Sequence, residues 1–323
     1  MNLYHKLKSF LHFQRGIVDS TKSIVDSAGD SILNALYYKN KVDELNQCTL
    51  NSSLSGTSTA HISSEEVIVS LTTHSYRLYD VYLAIESIMQ GTMLPNRIIL
   101  WLSNDYRGVT MPVTLQKQMK RGLEVRYCED IRSYTKLLPA LAEFPDSSIV
   151  TIDDDIIYPI DMLEQLINAH NASEKCICAN WIHYIPDNLK EKYVSLLDWP
   201  MATGSVADSP LLFFEGFGGV LYPPDSLAKE VFDRDVFLDI CRFADDVWFN
   251  AMSLIKGTKI RYSNPRPGLL KCLGNKDVQS IALRNVNSEN DCLNDIQIKN
   301  VFDKYGVFDI ISKLHQENQR HIG

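Results

Sequence analysis

Three consecutive carboxylates, Asp153, Asp154 and Asp155, follow the apolar run 148–152 and precede Ile156, Ile157, Tyr158 and Pro159. Adjacent like charges repel, so a folded chain keeps them only where a cation, a helix cap or water absorbs the charge. A hard divalent cation such as Mg²⁺ or Mn²⁺ takes one or two carboxylates and fills its shell with phosphate and water oxygens. In an extended segment alternate side chains point the same way, so Asp153 and Asp155 can share an ion while Asp154 turns aside. A solvated acidic turn is the competing reading. Helix capping has a better candidate, because Asp161 with Glu164 three residues on reads as a capping box for a helix over 162–170. A second acidic pair, Asp245 and Asp246, opens a helical pattern through Leu254, where the helix dipole alone accounts for one of the two. Gly218-Gly219 lets backbone approach a ligand closely, or simply makes a turn. Cys176 and Cys178 alternate in an apolar run and predict buried thiols rather than zinc, since no second Cys/His cluster accompanies them.

Elements that place these residues are legible from Glu65 onward. Runs at 67–71, 97–103, 123–127 and 148–152 read as strands, and patterns at 78–90, 114–121 and 137–144 as the helices between them. This alternation predicts an α/β fold, a mostly parallel sheet flanked by helices on both faces. Ligands of such sheets bind outside the carboxyl ends of the strands, where the aspartate triplet falls. Residues 1–46 read as an amphipathic helical extension carrying Leu3, Leu7, Phe10 and Leu11 at helical spacing. Lys6, Lys8, Arg15 and Lys22 against Asp19 make it weakly basic, suited to an anionic membrane surface, to packing on its own catalytic body or to self-association. Residues 47–64 are Ser/Thr-rich and read as a linker.

With 323 residues the chain can bury one large core plus an appendage. Hydrophobic and charged fractions of 45% and 22% exclude wholesale disorder. A net charge of -8 argues against a nucleic-acid partner. Local cations can still serve an anionic substrate. Seven scattered cysteines suggest reduced thiols and a cytoplasmic setting. Asn51 and Asn171 match the glycosylation pattern, but nothing else suggests secretion. No stretch approaches the about 18 apolar residues of a membrane span, and no signal-peptide pattern opens the chain.

Five segments occur in order: VSLTTHSYR (69–77), RSYTK (132–136), TIDDDIIYP (151–159), GGVLYPP (218–224) and DDVWF (245–249). Together they resemble bacterial GT-A glycosyltransferases of surface-polysaccharide assembly, over residues 65–262. The resemblance implies a GT-A-type sheet in a catalytic domain at 65–270, with a helical or irregular tail at 271–323 packing on it. It implies a nucleotide-sugar donor, a UDP-linked hexose, and a glycan or glycolipid acceptor, with Mn²⁺ or Mg²⁺ as cofactor. Peripheral attachment to the inner face of the cytoplasmic membrane would fit that role.

On this resemblance Thr72, Thr73 and Arg77 hold the nucleotide base, although either threonine could instead cap the next helix. Asp105 contacts base or ribose, or is a turn aspartate. Arg132 and Lys136, four apart, would share a helical face and grip the diphosphate, or are surface charges. Asp153 faces ribose and metal, Asp155 the metal that bridges both phosphates, and Asp154 belongs to the same nucleotide-sugar group. Gly218, Gly219 and Trp248 flank the donor sugar and acceptor. Asp246, beside Asp245, takes the acceptor proton in an inverting mechanism, its pKa lowered by the helix N-terminus. In a retaining one the pair orients the acceptor. A further metal ligand is sought at His315, His321 or an Asn or Asp between 285 and 295. Two rivals remain. A nucleotidyltransferase would usually show a Gly-rich loop after the first strand, where this chain has Thr-Thr-His-Ser. A non-catalytic sugar-binding scaffold would have lost the metal acids.

Overall fold

The chain divides into two compact units, residues 1–47 and 48–323, and its first described helix, α1, covers residues 35–51. The computed structural model describes residues 35–173, 175–187, 189–263, 271–272 and 293–322. Most of the basic amphipathic stretch expected at 1–46 therefore lies outside the described residues. No helix among the described residues is long and apolar enough to cross a membrane.

In the second unit the chain runs through β1 (Val67–Thr72), α2 (Tyr82–Met89), β2 (Arg97–Ser103), α3 (Val113–Met119) and β3 (Leu123–Cys128). There follow α4 (Leu138–Glu143), β4 (Ser148–Thr151), β5 (Ile156–Ile157), α5 (Met162–Ala172), β6 (Ile177–Ala179), β7 (Ile182–Tyr184) and β8 (Leu212–Phe214). After β9 (Val220–Tyr222) come α6 (Arg234–Ile240), α7 (Asp245–Lys256), β10 (Ile260–Tyr262), β11 (Lys271–Cys272), α8 (Leu293–Tyr305) and α9 (Val307–Ile322).

Seven of the strands form one sheet in the order β10-β6-β9-β4-β1-β2-β3. All neighbours are parallel except β9, which runs against both β4 and β6. Val67, Val69 and Leu71 of β1 enter one apolar cluster and Ile68 the other. Burial on both faces is what a helix-covered parallel sheet requires, and it explains why these strands read as apolar runs. Helices α2, α3 and α5 supply one cluster. Helices α4, α7, α8 and α9 supply the other, where Phe302 and Phe308 share a core with Trp248 and Phe237.

Three local expectations are corrected. Asp161 stands at the N-cap of α5, but its side chain makes no capping hydrogen bond. Glu164 instead accepts from the Thr92 hydroxyl at 2.6 Å, so no capping box forms. The helix expected from Leu78 begins as a 3-10 turn, Ser75–Tyr79, with α2 following it. The Ser/Thr-rich stretch read as a linker is fastened to the body: Gly56 N–H donates to the Arg121 carbonyl, Ser58 N–H to that of Pro95, and Arg121 Nε to that of Leu54. A buried ion pair, Arg121 with Glu86 at 2.8 Å, anchors that fastening, and the Thr49 hydroxyl adds a bond to Glu86. Cys176 and Cys178 are buried free thiols, as their spacing suggests.

Candidate active site

The chain leaves β1 for β2 on one side, while β4 lies parallel on the other. Crossovers that diverge this way open a crevice at the carboxyl ends of the two middle strands, the usual ligand position in such sheets. The loops after β1 and β4 meet there. Thr73 Oγ1 donates to Asp154 Oδ2 at 2.5 Å, and Arg77 donates through Nη1 to Asp154 Oδ1 at 2.6 Å and through Nη2 to Asp155 Oδ2 at 3.1 Å. Asp154 does turn aside from its neighbours, but into a buried clamp that joins the two loops. Burial pushes its carboxyl above the ordinary range, with Arg77 and the Thr73 hydroxyl pulling the other way. Asp153 N–H donates to the buried Tyr158 hydroxyl at 2.8 Å, which fixes the turn of the triplet. The side chains of Asp153 and Asp155 keep 29% and 14% exposure. Burial raises both carboxyls as well, opposed by Lys136 at Asp153 and by Arg77 at Asp155.

A second group joins the first through one lysine. Lys136 ends the 3-10 turn Arg132–Lys136 that follows β3. Its carbonyl accepts from Ser70 Oγ at 2.6 Å, and that hydroxyl accepts from Trp101 Nε1 at 3.0 Å, so β1 and β2 hold its backbone. Its ammonium lies 3.1 Å from Asp153 Oδ1 and 3.0 Å from Asp245 Oδ2. Burial works to lower its pKa, but Asp153, Asp245 and Asp246 outweigh burial and hold it well above the ordinary lysine value. Asp246, the second residue of α7, accepts from Gly216 N–H through Oδ2 at 2.9 Å. Its Oδ1 has no hydrogen-bond partner among the described residues. Burial, helped by the Asp245 charge, raises Asp246 to about 8. The expected lowering by the helix N-terminus is overridden, because desolvation penalises the ionised form more than the dipole favours it. Asn250, one turn further along α7, pairs both ways with the Phe214 backbone at 3.0 and 2.8 Å and fixes α7 against β8.

Other expected residues scatter. Thr72 donates to the Trp101 carbonyl at 3.0 Å, and neither it nor Thr73 caps a helix. Arg132 is exposed, with its guanidinium 5.4 Å from the centre of the Phe243 ring, while Lys136 is buried. The shared face fails because a 3-10 turn has about three residues per turn, so positions four apart diverge. Asp105 lies exposed in the turn Asn104–Tyr106 and accepts from the Ser103 hydroxyl at 3.1 Å, a local turn contact. Gly219 has φ +88° and sits against Met162, and the Gly218 carbonyl accepts from Asn180 Nδ2 at 2.8 Å. Trp248 does not face the crevice. It is fully buried on the α7 face that packs on Phe237, and its indole donates to the Val231 carbonyl, so its role is packing.

Two partly exposed carboxylates, Asp153 and Asp155, are the donor set that a hard divalent cation takes together with phosphate oxygens. Among the described residues no group of three or more His, Cys, Asp or Glu converges on one ion. His315 Nε2 lies 3.2 Å from the Ile185 carbonyl. Asp295 accepts from Leu196 N–H and the Tyr193 hydroxyl. The candidates at 285–292 lie outside the described residues, as does the side chain of His321.

Gly216 was missed in the sequence although it is the tightest point of the site. A Cβ there would lie 2.8 Å from Asp246 Oδ1 and 2.9 Å from Lys136 Nζ. The nearby Gly218-Gly219 pair drew attention because it is a doublet; a single glycine gives no such signal. Ser70 and Tyr158 were missed because a strand serine and a buried tyrosine have no spacing signature.

No family model matches the chain, and no curated protein matches it in sequence. Among solved structures it is similar to a mannosyltransferase from Pyrobaculum calidifontis in complex with GDP-Man and Mn²⁺, at 14% identity over 87% of this chain and 77% of that one, TM-score 0.42. It is also similar to glucosyl-3-phosphoglycerate synthase from Mycobacterium tuberculosis in complex with Mn²⁺, UDP and phosphoglyceric acid. There the identity is 15% over 36% and 43%, TM-score 0.25. A third, UDP-glucose pyrophosphorylase from Acinetobacter baumanii, has 11% identity over 74% and 99%, TM-score 0.37. Likeness at this level assigns neither ligand nor reaction to the chain.

Proposed function

We propose that this chain is a metal-dependent glycosyltransferase of GT-A type, which moves a hexose from a nucleotide-sugar donor, UDP-linked, to a glycan or glycolipid acceptor with inversion. The observation that carries the reading is the linkage at the crevice between β1 and β4. One buried lysine connects Asp153, the first of the two proposed metal acids, to an acid pair whose second member has an oxygen without a hydrogen-bond partner among the described residues. Asp153 and Asp155 would hold Mn²⁺ or Mg²⁺. When bound, the ion supplies Lewis-acid stabilisation of a leaving diphosphate. Arg77 and Asp154 keep the triplet from splaying, and Thr72 and Thr73 shape the loop beside the nucleotide. Solvent-facing Asp105 and Arg132, near the ends of β2 and β3, are the nucleoside and phosphate contacts of this reading. Asp246 is oriented by the Gly216 N–H on one oxygen and takes the acceptor hydroxyl proton on the other. Gly218 and Gly219 bring backbone alongside the donor sugar.

The cell-level part of the proposal is assembly of bacterial surface polysaccharide at the cytoplasmic face, with residues 1–46 giving peripheral membrane contact or self-association. The reaction is tested with a panel of nucleotide sugars and Mn²⁺. Slow, chelator-sensitive release of the nucleoside diphosphate is expected, and Asp155→Ala should abolish it together with Mn²⁺-dependent nucleotide binding. Activity that survives exhaustive chelation overturns the metal role. Pyrophosphate exchange with a nucleoside triphosphate would make the chain a nucleotidyltransferase, and sugar binding without any turnover would make it a scaffold.

A further inference from the structure

Across the Glu215–Gly216 peptide from Asp246 lies a cluster that the proposed reaction leaves unused. His183 of β7 is buried between two acceptors: Nδ1 lies 3.1 Å from the Trp199 carbonyl and Nε2 lies 2.8 Å from Glu215 Oε1. A carbonyl and a carboxylate can only accept, so both ring nitrogens carry protons and the imidazolium pins the carboxylate. Glu215 nevertheless keeps 34% of its side chain exposed. Its N–H donates to the Trp181 carbonyl at 3.0 Å, and two residues on, Phe217 meets the Trp181 ring edge-on at 5.7 Å. Trp181 and Phe217 are both half-buried. Asn180, beside Trp181, is bonded to the Gly218 carbonyl, which ties the two loops into one rigid bracket.

A half-exposed aromatic corner beside a fixed, acceptor-only carboxylate is a combination suited to one ligand class. Pyranose C–H faces bury against aromatic rings, while neighbouring sugar hydroxyls donate to a carboxylate. We propose that Trp181, Phe217 and the His183-held Glu215 form the acceptor subsite, and that it takes a neutral sugar residue and rejects an acidic one. A uronic acid would bring a second carboxylate against the exposed part of Glu215, while the His183 imidazolium is already committed to Glu215 Oε1 and the Trp199 carbonyl. The inference rests on the glycosyltransferase reading for the word acceptor, but the sugar site itself is independent of turnover.

The test is saturation-transfer NMR and titration with the methyl glycosides of glucose and galactose against methyl glucuronide and methyl galacturonide, on the full chain. Wild type should bind at least one neutral glycoside at millimolar concentration and the matching uronide at least about tenfold more weakly, the size expected for a charged contact. Glu215→Gln should remove that preference, and Trp181→Ala should abolish binding of both, each read only on protein that a thermal melt shows to be folded. Absence of neutral-glycoside binding, a preference for the uronides, or binding that survives Trp181→Ala overturns the subsite. Glycoside binding that follows these expectations in a chain without donor hydrolysis would instead count against the transferase reading alone.

Discussion

As the proposed base, Asp246 is held by two opposed needs: a base must be ionised to take a proton, yet burial beside Asp245 raises it to about 8. Transfer to an acceptor should therefore rise with pH up to about 8 and level off above it, and Asp246→Asn should flatten that limb. The substitution keeps the bond to Gly216 N–H, so donor binding stays near wild type while transfer falls by about 10² or more. Parallel loss of donor binding would make Asp246 a structural or donor residue. The same shift has a stability sign. A carboxyl raised from 3.8 to about 8 on folding favours the folded state at low pH, and the benefit fades as pH rises through that window. Urea melts should show Asp246→Asn gaining on wild type between pH 4 and pH 9. Lys136 carries a different prediction. Its ammonium is committed to Asp153 and Asp245, so it bridges two acids rather than gripping a diphosphate alone. Lys136→Met leaves buried Asp245 and partly exposed Asp153 without their shared cation and should cost about 3 kcal/mol of stability. In calorimetry on the folded fraction, nucleoside and nucleoside diphosphate binding should fall together; a loss confined to the diphosphate would restore the clamp.

At the scale of elements, the reversed direction of β9 is decisive. Thr151 at the end of β4 pairs with Val220 at the start of β9, so the segment 216–219 arrives beside the aspartate triplet. Gly219 makes the entry with φ +88° and ψ 136°, a conformation that residues with a Cβ rarely adopt. An added Cβ would also lie 3.1 Å from Met162 Sδ. Gly219→Ala should lose about 1–3 kcal/mol in a denaturant melt. A neutral result would mean that the loop relaxes without needing this backbone conformation. The 3-10 turn after β3 matters in the same way, because it buries Lys136 while leaving Arg132 at the surface.

For the molecule as a whole, the division after Gln47 predicts that the second unit carries the core and the crevice by itself. A chain starting at Cys48 keeps Thr49, whose hydroxyl reaches buried Glu86, and should melt cooperatively with Mn²⁺-dependent donor hydrolysis intact. Sedimentation with anionic liposomes, or mass in solution, should change instead. A truncated chain that fails to fold would put the first unit in the folding core. Starting further in, at residue 65, removes the fastened stretch with Thr49, Leu54 and Gly56, and should destabilise the domain by taking partners from Arg121 and Glu86.

The sequence alone determined the parallel strands and the position of the aspartate triplet, because burial on both faces forces long apolar runs and strand ends fall where they stop. It also determined that Asp245 and Asp246 open a helix. Only the tertiary structure decided that Asp154 clamps two loops, that Lys136 bridges both acidic groups, and that Trp248 packs inside. Those outcomes depend on contacts between residues tens of positions apart, such as Arg77 with Asp154 and Gly216 with Asp246. Local spacing carries no record of them. The pKa of Asp246 departs from the helix-dipole expectation for the same reason: the dipole is a local property that sequence reveals, whereas desolvation is set by whatever the fold packs around the group.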